Sequence, residues 1–253
     1  MAIIATQSLV KHYGRGRKEV SGLAGVDLTV SKGDYVALVG PSGSGKTTLL
    51  LSLGGLIRPT SGKVTIDGTS IYDLKPAARI ELRRSKIGFL FQTFNLIPYL
   101  TALENTQVPL MIAGKNREEQ ETIAQSVLER VGLGDRLHHK PSELSIGQQQ
   151  RVALARTLAN SPSMILADEP TGNLDPATVD SVASMLRELN DEGITIVMVT
   201  HDPRMAEHAG RVERLVDGKI VVEAEVTSPS EGQKKARTST GKKAKDQVTE
   251  VTP

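Results

Sequence analysis

The stretch Gly40-Pro41-Ser42-Gly43-Ser44-Gly45-Lys46-Thr47 decides the fold, because it fits the pattern G-x-x-x-x-G-K-[ST]. It follows the uniformly apolar segment Tyr35 to Val39 and precedes a helical run from Thr48 to Leu53. Glycines let the backbone approach a phosphate closely, and backbone N–H groups at a helix N-terminus bind it. A Gly/Ser-rich turn is the alternative, but about 0.01 chance matches are expected in a chain of this length. The stretch therefore predicts a nucleotide-binding loop, called the phosphate loop below.

A second motif carries two adjacent carboxylates. Met164-Ile165-Leu166-Ala167-Asp168-Glu169-Pro170 is an apolar strand that ends on them, and ligands of open α/β sheets bind at the carboxyl ends of strands. Alone, this pair is more often a solvated turn. Together with the phosphate loop, it predicts that Asp168 holds the Mg²⁺ shell and that Glu169 orients the attacking water. In the same scheme Lys46 reaches the β- and γ-phosphates and Thr47 binds Mg²⁺.

Composition excludes several classes of protein. The 253 residues include no Cys, which excludes a disulfide framework, a thiolate metal site and a Cys nucleophile. Apolar runs reach about five residues, far fewer than the roughly 20 that cross a bilayer, and the N-terminus does not resemble a secretory leader. From Val226 onward there are six Lys or Arg and three acidic residues. Since the whole chain has a net charge of +2, the rest of the chain has a net charge of −1. We therefore expect no nucleic-acid partner.

Short segments rich in branched residues alternate with helical segments, which predicts an α/β fold with a mostly parallel sheet. The predicted strands are Ile3–Val10, Val26–Val30, Tyr35–Val39, Val64–Ile66, Ile87–Phe91, Met164–Ala167, Ile194–Val199 and Val212–Val216. The predicted helices are Glu118–Val131, Gly147–Asn160 and Pro176–Asp191. We expect a core of residues 1–92 and 161–225, a helical subdomain of residues 93–160, and a disordered basic tail of residues 226–253.

Between the two motifs, Leu144-Ser145-Ile146-Gly147-Gln148 opens a predicted helix and resembles the LSGGQ signature of the ATP-binding-cassette (ABC) ATPases. Other motifs of that family occur in its order along roughly residues 3–222. Gln92 resembles the Q-loop glutamine, Asn173-Leu174-Asp175 the D-loop, and His201 the switch histidine. Tyr13 resembles the aromatic residue that stacks on adenine, although an aromatic here could also be ordinary packing or surface.

The resemblance implies a P-loop NTPase core with a RecA-like sheet, an N-terminal antiparallel β region, and ATP and Mg²⁺ as ligands. It assigns ATP to the phosphate loop together with Tyr13, Thr48, Gln92, Ser145, Gly147, Gln148 and Asp175. It assigns the metal to Thr47, Gln92 and Asp168, and catalysis to Glu169, His201 and Lys46. Ile146 departs from the signature's first glycine, which is costly if that position needs a positive φ.

The stretches from Gly88 to Asn105 and Arg58-Pro59-Thr60-Ser61-Gly62 resemble the lipoprotein-release, macrolide-export and cell-division subgroup, the LolD, MacB and FtsE type. That resemblance implies a head-to-tail dimer of cassettes with ATP between them, a homodimer in the simplest case. It also implies a separate membrane permease of the FtsX or MacB kind, and hence a place at the cytoplasmic face of the membrane. The alternatives are a mechanical signalling ATPase that activates an extracytoplasmic enzyme, a DNA- or ribosome-acting cassette, and an ordinary P-loop kinase.

Overall fold

The computed structural model describes residues 1–14, 20–172 and 175–221. Its strands are β1 (Ala2–Tyr13), β2 (Val20–Ser31), β3 (Tyr35–Val39), β4 (Ser61–Ile66), β5 (Thr69–Ser70), β6 (Ile87–Phe91), β7 (Met164–Asp168), β8 (Thr195–Val199), β9 (Arg211–Val216) and β10 (Lys219–Val221). Its α-helices are α1 (Lys46–Leu53), α2 (Pro76–Lys86), α3 (Ala102–Ile112), α4 (Arg117–Arg130), α5 (Ile146–Leu158), α6 (Pro176–Asp191) and α7 (Pro203–Glu207). The predicted basic tail lies outside the described residues.

Two sheets organise the described chain. The larger has the order β10-β9-β3-β8-β7-β6, and its strands are parallel from β9 to β6, with β10 added antiparallel to β9. The smaller sheet, β2-β1-β4-β5, is antiparallel throughout. The predicted α/β fold with an N-terminal antiparallel region is therefore confirmed.

The large sheet is covered on both faces, which explains why its central strands β3, β8 and β7 are almost entirely apolar. Along β7, Ile165 and Ala167 pack into a core shared with α3 to α7, whereas Met164 and Leu166 pack into a second core shared with α1 and the small sheet. This alternation follows from the two-residue period of a strand. The sheet is thus the middle layer between helices and an antiparallel sheet.

The region predicted to be a helical subdomain contains α3, α4 and α5 and no strand. These three helices pack against one another, and α5 also packs against β6. Capping boxes begin α3 at Thr101 and α4 at Asn116. Its division from the core at residues 93 and 160 stays a prediction.

Candidate active site

The motifs meet at one edge of the large sheet because four neighbouring strands, β3, β8, β7 and β6, are parallel. The phosphate loop follows β3, and His201 comes two residues after β8. Asp168 ends β7 with Glu169 directly after it, and Gln92 directly follows β6. The carboxyl ends of parallel strands are where α/β sheets bind ligands, so the sequence motifs converge on a single site.

The phosphate loop is held by close backbone contacts that only glycine permits. Gly45, with φ 102°, precedes α1, and a Cβ there would lie 2.1 Å from the backbone oxygen of Gly22. Lys46 is only 7% exposed, and its Nζ donates to the backbone oxygens of Gly40 at 2.8 Å and Pro41 at 2.9 Å. The ammonium therefore lies inside the loop, where a bound phosphate would meet it.

The turn between β9 and β10 braces this loop from outside. The backbone N–H of Gly218 donates to the backbone oxygen of Ser44 at 2.9 Å, and a Cβ on Gly40 would meet the Leu215 oxygen at 2.1 Å. The Ser44 Oγ is buried and has no hydrogen-bond partner among the described residues. A buried hydroxyl of this kind fits a phosphate oxygen as its partner.

Thr47 and Asp168 form the oxygen pair that fits Mg²⁺. The Thr47 hydroxyl, in the first turn of α1, donates to Oδ1 of Asp168 at the end of β7 at 3.1 Å. Burial raises the pKa of Asp168 and nearby Glu169 adds to this, while the Thr47 hydrogen bond and Lys46 oppose it. A divalent cation would favour the charged carboxylate, and Mg²⁺ is usually held by one or two carboxylates together with phosphate oxygens.

Glu169 has a left-handed backbone, with φ 46°. Its N–H donates to the Val199 oxygen at 2.9 Å, and its Oε2 lies 2.9 Å from Nδ1 of His201. Such a conformation in a non-glycine residue costs about 1–3 kcal/mol and is found at functional sites, where the surroundings enforce it. A cleft of about 140 Å³ opens beside both side chains, large enough for water.

Gln92 lies near Asp168 and Glu169 at the same edge of the sheet, because Phe91 is paired with Asp168 in the β6–β7 ladder. Its side chain packs on Gly172, where a Cβ would lie 2.5 Å from the Gln92 Nε2. Arg156 of α5 donates to the backbone oxygens of Phe94 and Asn95, each at 2.6 Å. The segment after Gln92 is therefore tied to α5.

Tyr13 stands next to the start of α1. Its hydroxyl lies 3.2 Å from Oγ1 of Thr48, and its ring remains 40% exposed. The Lys11 ammonium lies 5.2 Å from the ring centroid. A partly exposed ring beside the phosphate loop suits stacking on a base, the role that the resemblance assigns to it.

Ser145 and Gln148 are hydrogen-bonded to each other at the start of α5. The Gln148 N–H donates to Ser145 Oγ at 3.2 Å, and the Ser145 N–H donates to Gln148 Oε1 at 2.9 Å, which is a capping box. Ile146 is the first residue of α5, lacks a positive φ and is 54% exposed. The possible backbone cost of Ile146 is therefore not incurred in this structure.

Gly147 makes room for the start of α6, because a Cβ there would lie 2.7 Å from Cγ2 of Thr178. Asp175 caps α6 by accepting from the Thr178 N–H at 3.1 Å and from its hydroxyl at 2.6 Å. Asn173 and Leu174, the other residues of the predicted D-loop, lie outside the described residues.

The structure does not bring all predicted residues together. Within the described ranges, no hydrogen bond or ion pair joins the start of α5 to the phosphate loop. Sequence reasoning also missed the brace at Leu215 and Gly218. Asp217-Gly218 is a two-residue hairpin signal, but nothing local indicates that this turn contacts the phosphate loop.

A phosphate loop after one parallel strand and two carboxylates after another define the P-loop nucleoside triphosphatases. The family model described as ABC transporter matches residues 23–172, and the chain belongs to that family. It is an ABC ATPase cassette, as the signature at α5 predicted. In the described part of the chain, no helix has both the length and the apolar character to cross a bilayer.

Curated relatives and solved structures agree with this family. The macrolide export ATP-binding/permease protein MacB of Syntrophobacter fumaroxidans is 51% identical over 227 residues, which are 88% of this chain but only 32% of MacB. The lipoprotein-releasing system ATP-binding protein LolD of Geobacter metallireducens is 48% identical over 88% of this chain and 99% of LolD. A dimeric ATP-binding cassette in a post-hydrolysis state with ADP and Pi superposes with TM-score 0.80 at 43% identity, covering 86% of this chain and 96% of that one.

Proposed function

We propose that two copies of this chain pair head to tail and hold ATP between the phosphate loop of one and the start of α5 of the other. The observation that carries this proposal is the exposed, capped start of α5 at Ser145, which makes no hydrogen bond or ion pair with the described phosphate loop of its own chain. A helix N-terminus attracts phosphate, and in the dimer the start of α5 of one chain would meet the phosphates bound by the other chain. The dimeric relative with ADP and Pi supports the same arrangement.

The residues at the sheet edge then divide the chemistry. Lys46 neutralises the phosphates, and Thr47 with Asp168 would hold Mg²⁺, which spreads the charge of the transferred phosphoryl group when bound. Glu169 orients and polarises water in the adjoining cleft, and His201 holds the Glu169 carboxylate in place. Gln92 would couple nucleotide binding at this edge to the helical region, because the segment that follows it is bonded to Arg156 of α5.

We infer that the work of the cassette is delivered to a membrane permease on a separate chain, at the cytoplasmic face. LolD, which this chain covers almost entirely, is named as the ATP-binding protein of a lipoprotein-releasing system, and this supports a separate permease. The name of MacB, an export ATP-binding/permease protein, supports a permease as the partner of such a cassette. A groove of about 470 Å³ between α2, β6 and α3 is lined by apolar side chains, including Ile80, Val108 and Ile112, and by Arg83 and Arg84. It reaches Phe91, next to Gln92, and suits an apolar permease helix that carries an acidic residue.

A mixing experiment tests the composite site. Lys46→Ala removes a phosphate contact and Ser145→Arg blocks the opposite one, so each purified variant should hydrolyse ATP poorly. In a head-to-tail dimer of one copy of each, both defects fall in the same site and the other site is intact. Mixing the two variants should therefore restore hydrolysis. No recovery from variants that still dimerise would contradict the head-to-tail arrangement.

The groove is tested by charge substitutions. Ile80→Asp and Ile112→Asp change side chains that are 52% and 63% exposed, so the fold should tolerate them. We expect both to remove the chain from native membranes while its ATP hydrolysis in solution continues. Val20→Asp, at a 64% exposed position of β2 outside the groove, is the matched control and should stay membrane-bound. Membrane binding by all three variants would exclude this groove as the docking site.

A further inference from the structure

Gln150 is a completely buried polar residue in the second turn of α5 that the mechanism above does not use. Its Nε2 donates to the backbone oxygen of Pro170 at 2.6 Å. A carbonyl oxygen only accepts, so the amide nitrogen must face Pro170 and Oε1 must face away. That Oε1 is buried with no hydrogen-bond partner in the described ranges. The chain thus keeps an amide that is only half satisfied, which requires an explanation.

Pro170 directly follows Glu169, the residue with the left-handed backbone. The segment is fixed at Glu169 by its N–H bond to Val199 and by the N–H of Gly172, which donates to the Glu169 oxygen at 3.2 Å. Gln150 adds a bond from a different element, at the carbonyl of Pro170, the residue that follows Glu169. A shift of Gln150 would therefore act directly on the backbone that aims the carboxylate.

The other end of α5 is the capped start at Ser145, which the proposed function places against the partner's ATP. Gln150 lies five residues after Ser145, so little more than one helical turn of about 5.4 Å separates them. The backbone hydrogen bonds of the helix connect this part to Ser145, because the Gln149 N–H donates to the Ser145 oxygen at 2.9 Å. Displacement of the helix start is therefore carried to the Pro170 contact.

We propose that Gln150 is a positioning residue that couples the two ATP sites: it transmits engagement of α5 with the partner's ATP to Glu169 of its own chain. The proposal rests on the proposed function, specifically on the water-orienting role of Glu169. Gln150 is the second glutamine after the signature, and its buried bond to Pro170 is the contact through which it would act. The bond from the Gln150 amide to Pro170 would then make α5 and the segment after β7 move together.

Gln150→Met tests this coupling, because it keeps the length and volume of the side chain and removes the donor. We expect kcat for ATP hydrolysis to fall about 10- to 100-fold, as misplacement of a catalytic group does, with the Kd of ATP changed less than about twofold. In a Glu169→Gln background the same substitution should cause no further loss of single-turnover rate. Ser181→Ala is the control: it removes a bond from the neighbouring Arg151 at 3.1 Å but leaves the Pro170 contact intact, so its kcat should be unchanged.

Either of two results with Gln150→Met would overturn the proposal. One is a folded Gln150→Met protein with the kcat of the wild type, and the other is an equal fold-loss with and without the Glu169→Gln change. If Gln150→Met does not fold, Gln150→Glu replaces it, because a protonated carboxyl can donate to the Pro170 oxygen and a carboxylate cannot. Its kcat relative to wild type should then rise as the pH falls, and a constant ratio would refute the coupling. Full hydrolysis by Glu169→Gln would refute the role of Glu169 itself, and the coupling with it.

Discussion

Nδ1 of His201 lies 2.9 Å from Oε2 of Glu169, and the two residues extend from neighbouring parallel strands, β8 and β7. The Glu169 side chain is 25% exposed, whereas that of His201 is 64% exposed. The carboxylate is therefore fixed by a partner that itself faces solvent and the nucleotide edge. This contact links the orientation of Glu169, which we propose orients water, to a residue that is exposed.

His201→Ala should lower kcat about 10- to 100-fold, because the Glu169 carboxylate loses the contact that orients it. The Kd of ATP should change less than about threefold, since the phosphate loop is untouched. Steady-state hydrolysis and ATP titration measure the two quantities separately. His208→Ala, at the end of α7, is the control and should match wild type in both.

Asp168→Asn should raise the thermal midpoint of the ligand-free protein at neutral pH by about 2–4 °C while abolishing Mg²⁺-dependent hydrolysis. Burial raises the pKa of Asp168 above its unfolded value, so the protonated form is the one that stabilises the fold. That contribution is present below the unfolded pKa and is lost as the pH rises through the folded-state pKa. The increase in thermal midpoint caused by Asp168→Asn should therefore become smaller as the pH is lowered. Thermal denaturation at several pH values measures this, and an increase that does not depend on pH would contradict this account.

Gly218→Ala should weaken ATP binding about tenfold, because it disturbs the brace of the phosphate loop. Gly68 and Gly218 have the same φ of 75° in equivalent Asp-Gly hairpin turns, so alanine costs both a similar backbone strain of about 1–2 kcal/mol. A Cβ on Gly218 would also lie 3.0 Å from the backbone of Leu23 and Ala24, whereas one on Gly68 meets nothing within 4 Å. ATP titrations should separate the two variants, and equal Kd values would show that the brace does not affect the loop.

Tyr13→Ala should raise the Kd of ATP about five- to tenfold, the effect of losing a stacking ring. Tyr13→Phe keeps the ring and removes only the contact with Thr48 Oγ1 at 3.2 Å, so its Kd should stay near that of wild type. Equal losses in both variants would assign the contribution to the hydroxyl instead. Titration with ATP and with inorganic triphosphate, which has no base, distinguishes stacking from an effect on the loop.

The predictable parts of the fold were those with a strong local pattern. Strands β3, β7 and β8 were found because they are apolar apart from Asp168 and Thr195 at strand ends, as burial on both faces requires. The helix Pro176–Asp191 was found because its proline suits a first turn. Helix α2 was missed because none of its residues is buried, so it shows no apolar stripe. Helix α3 was missed because it contains Pro109, which is unfavourable inside a helix, and because its buried face includes the polar Asn105 and Thr106.

The candidate site divides in the same way. The phosphate loop, Asp168 and Glu169 are readable because each motif is contiguous. The motifs also assigned Thr47 and Asp168 to one Mg²⁺, although 121 residues separate them. The Gln150–Pro170 bond depends on how α5 packs, so it leaves no local signal. The steric need for Gly147 against Thr178 likewise follows from packing, although the family resemblance pointed to the same glycine.

The turn at Gly218 that holds Ser44 has a consequence for synthesis of the protein. At about 5–20 residues per second, the phosphate loop is made many seconds before Gly218, which comes roughly 170 residues later. The strands β8 and β9, which flank β3, are also made late. A nascent chain therefore has the nucleotide motif without its brace. The braced loop can form only after Gly218 has been made, so we expect ATP to bind weakly, and to contribute little, during the early steps of folding.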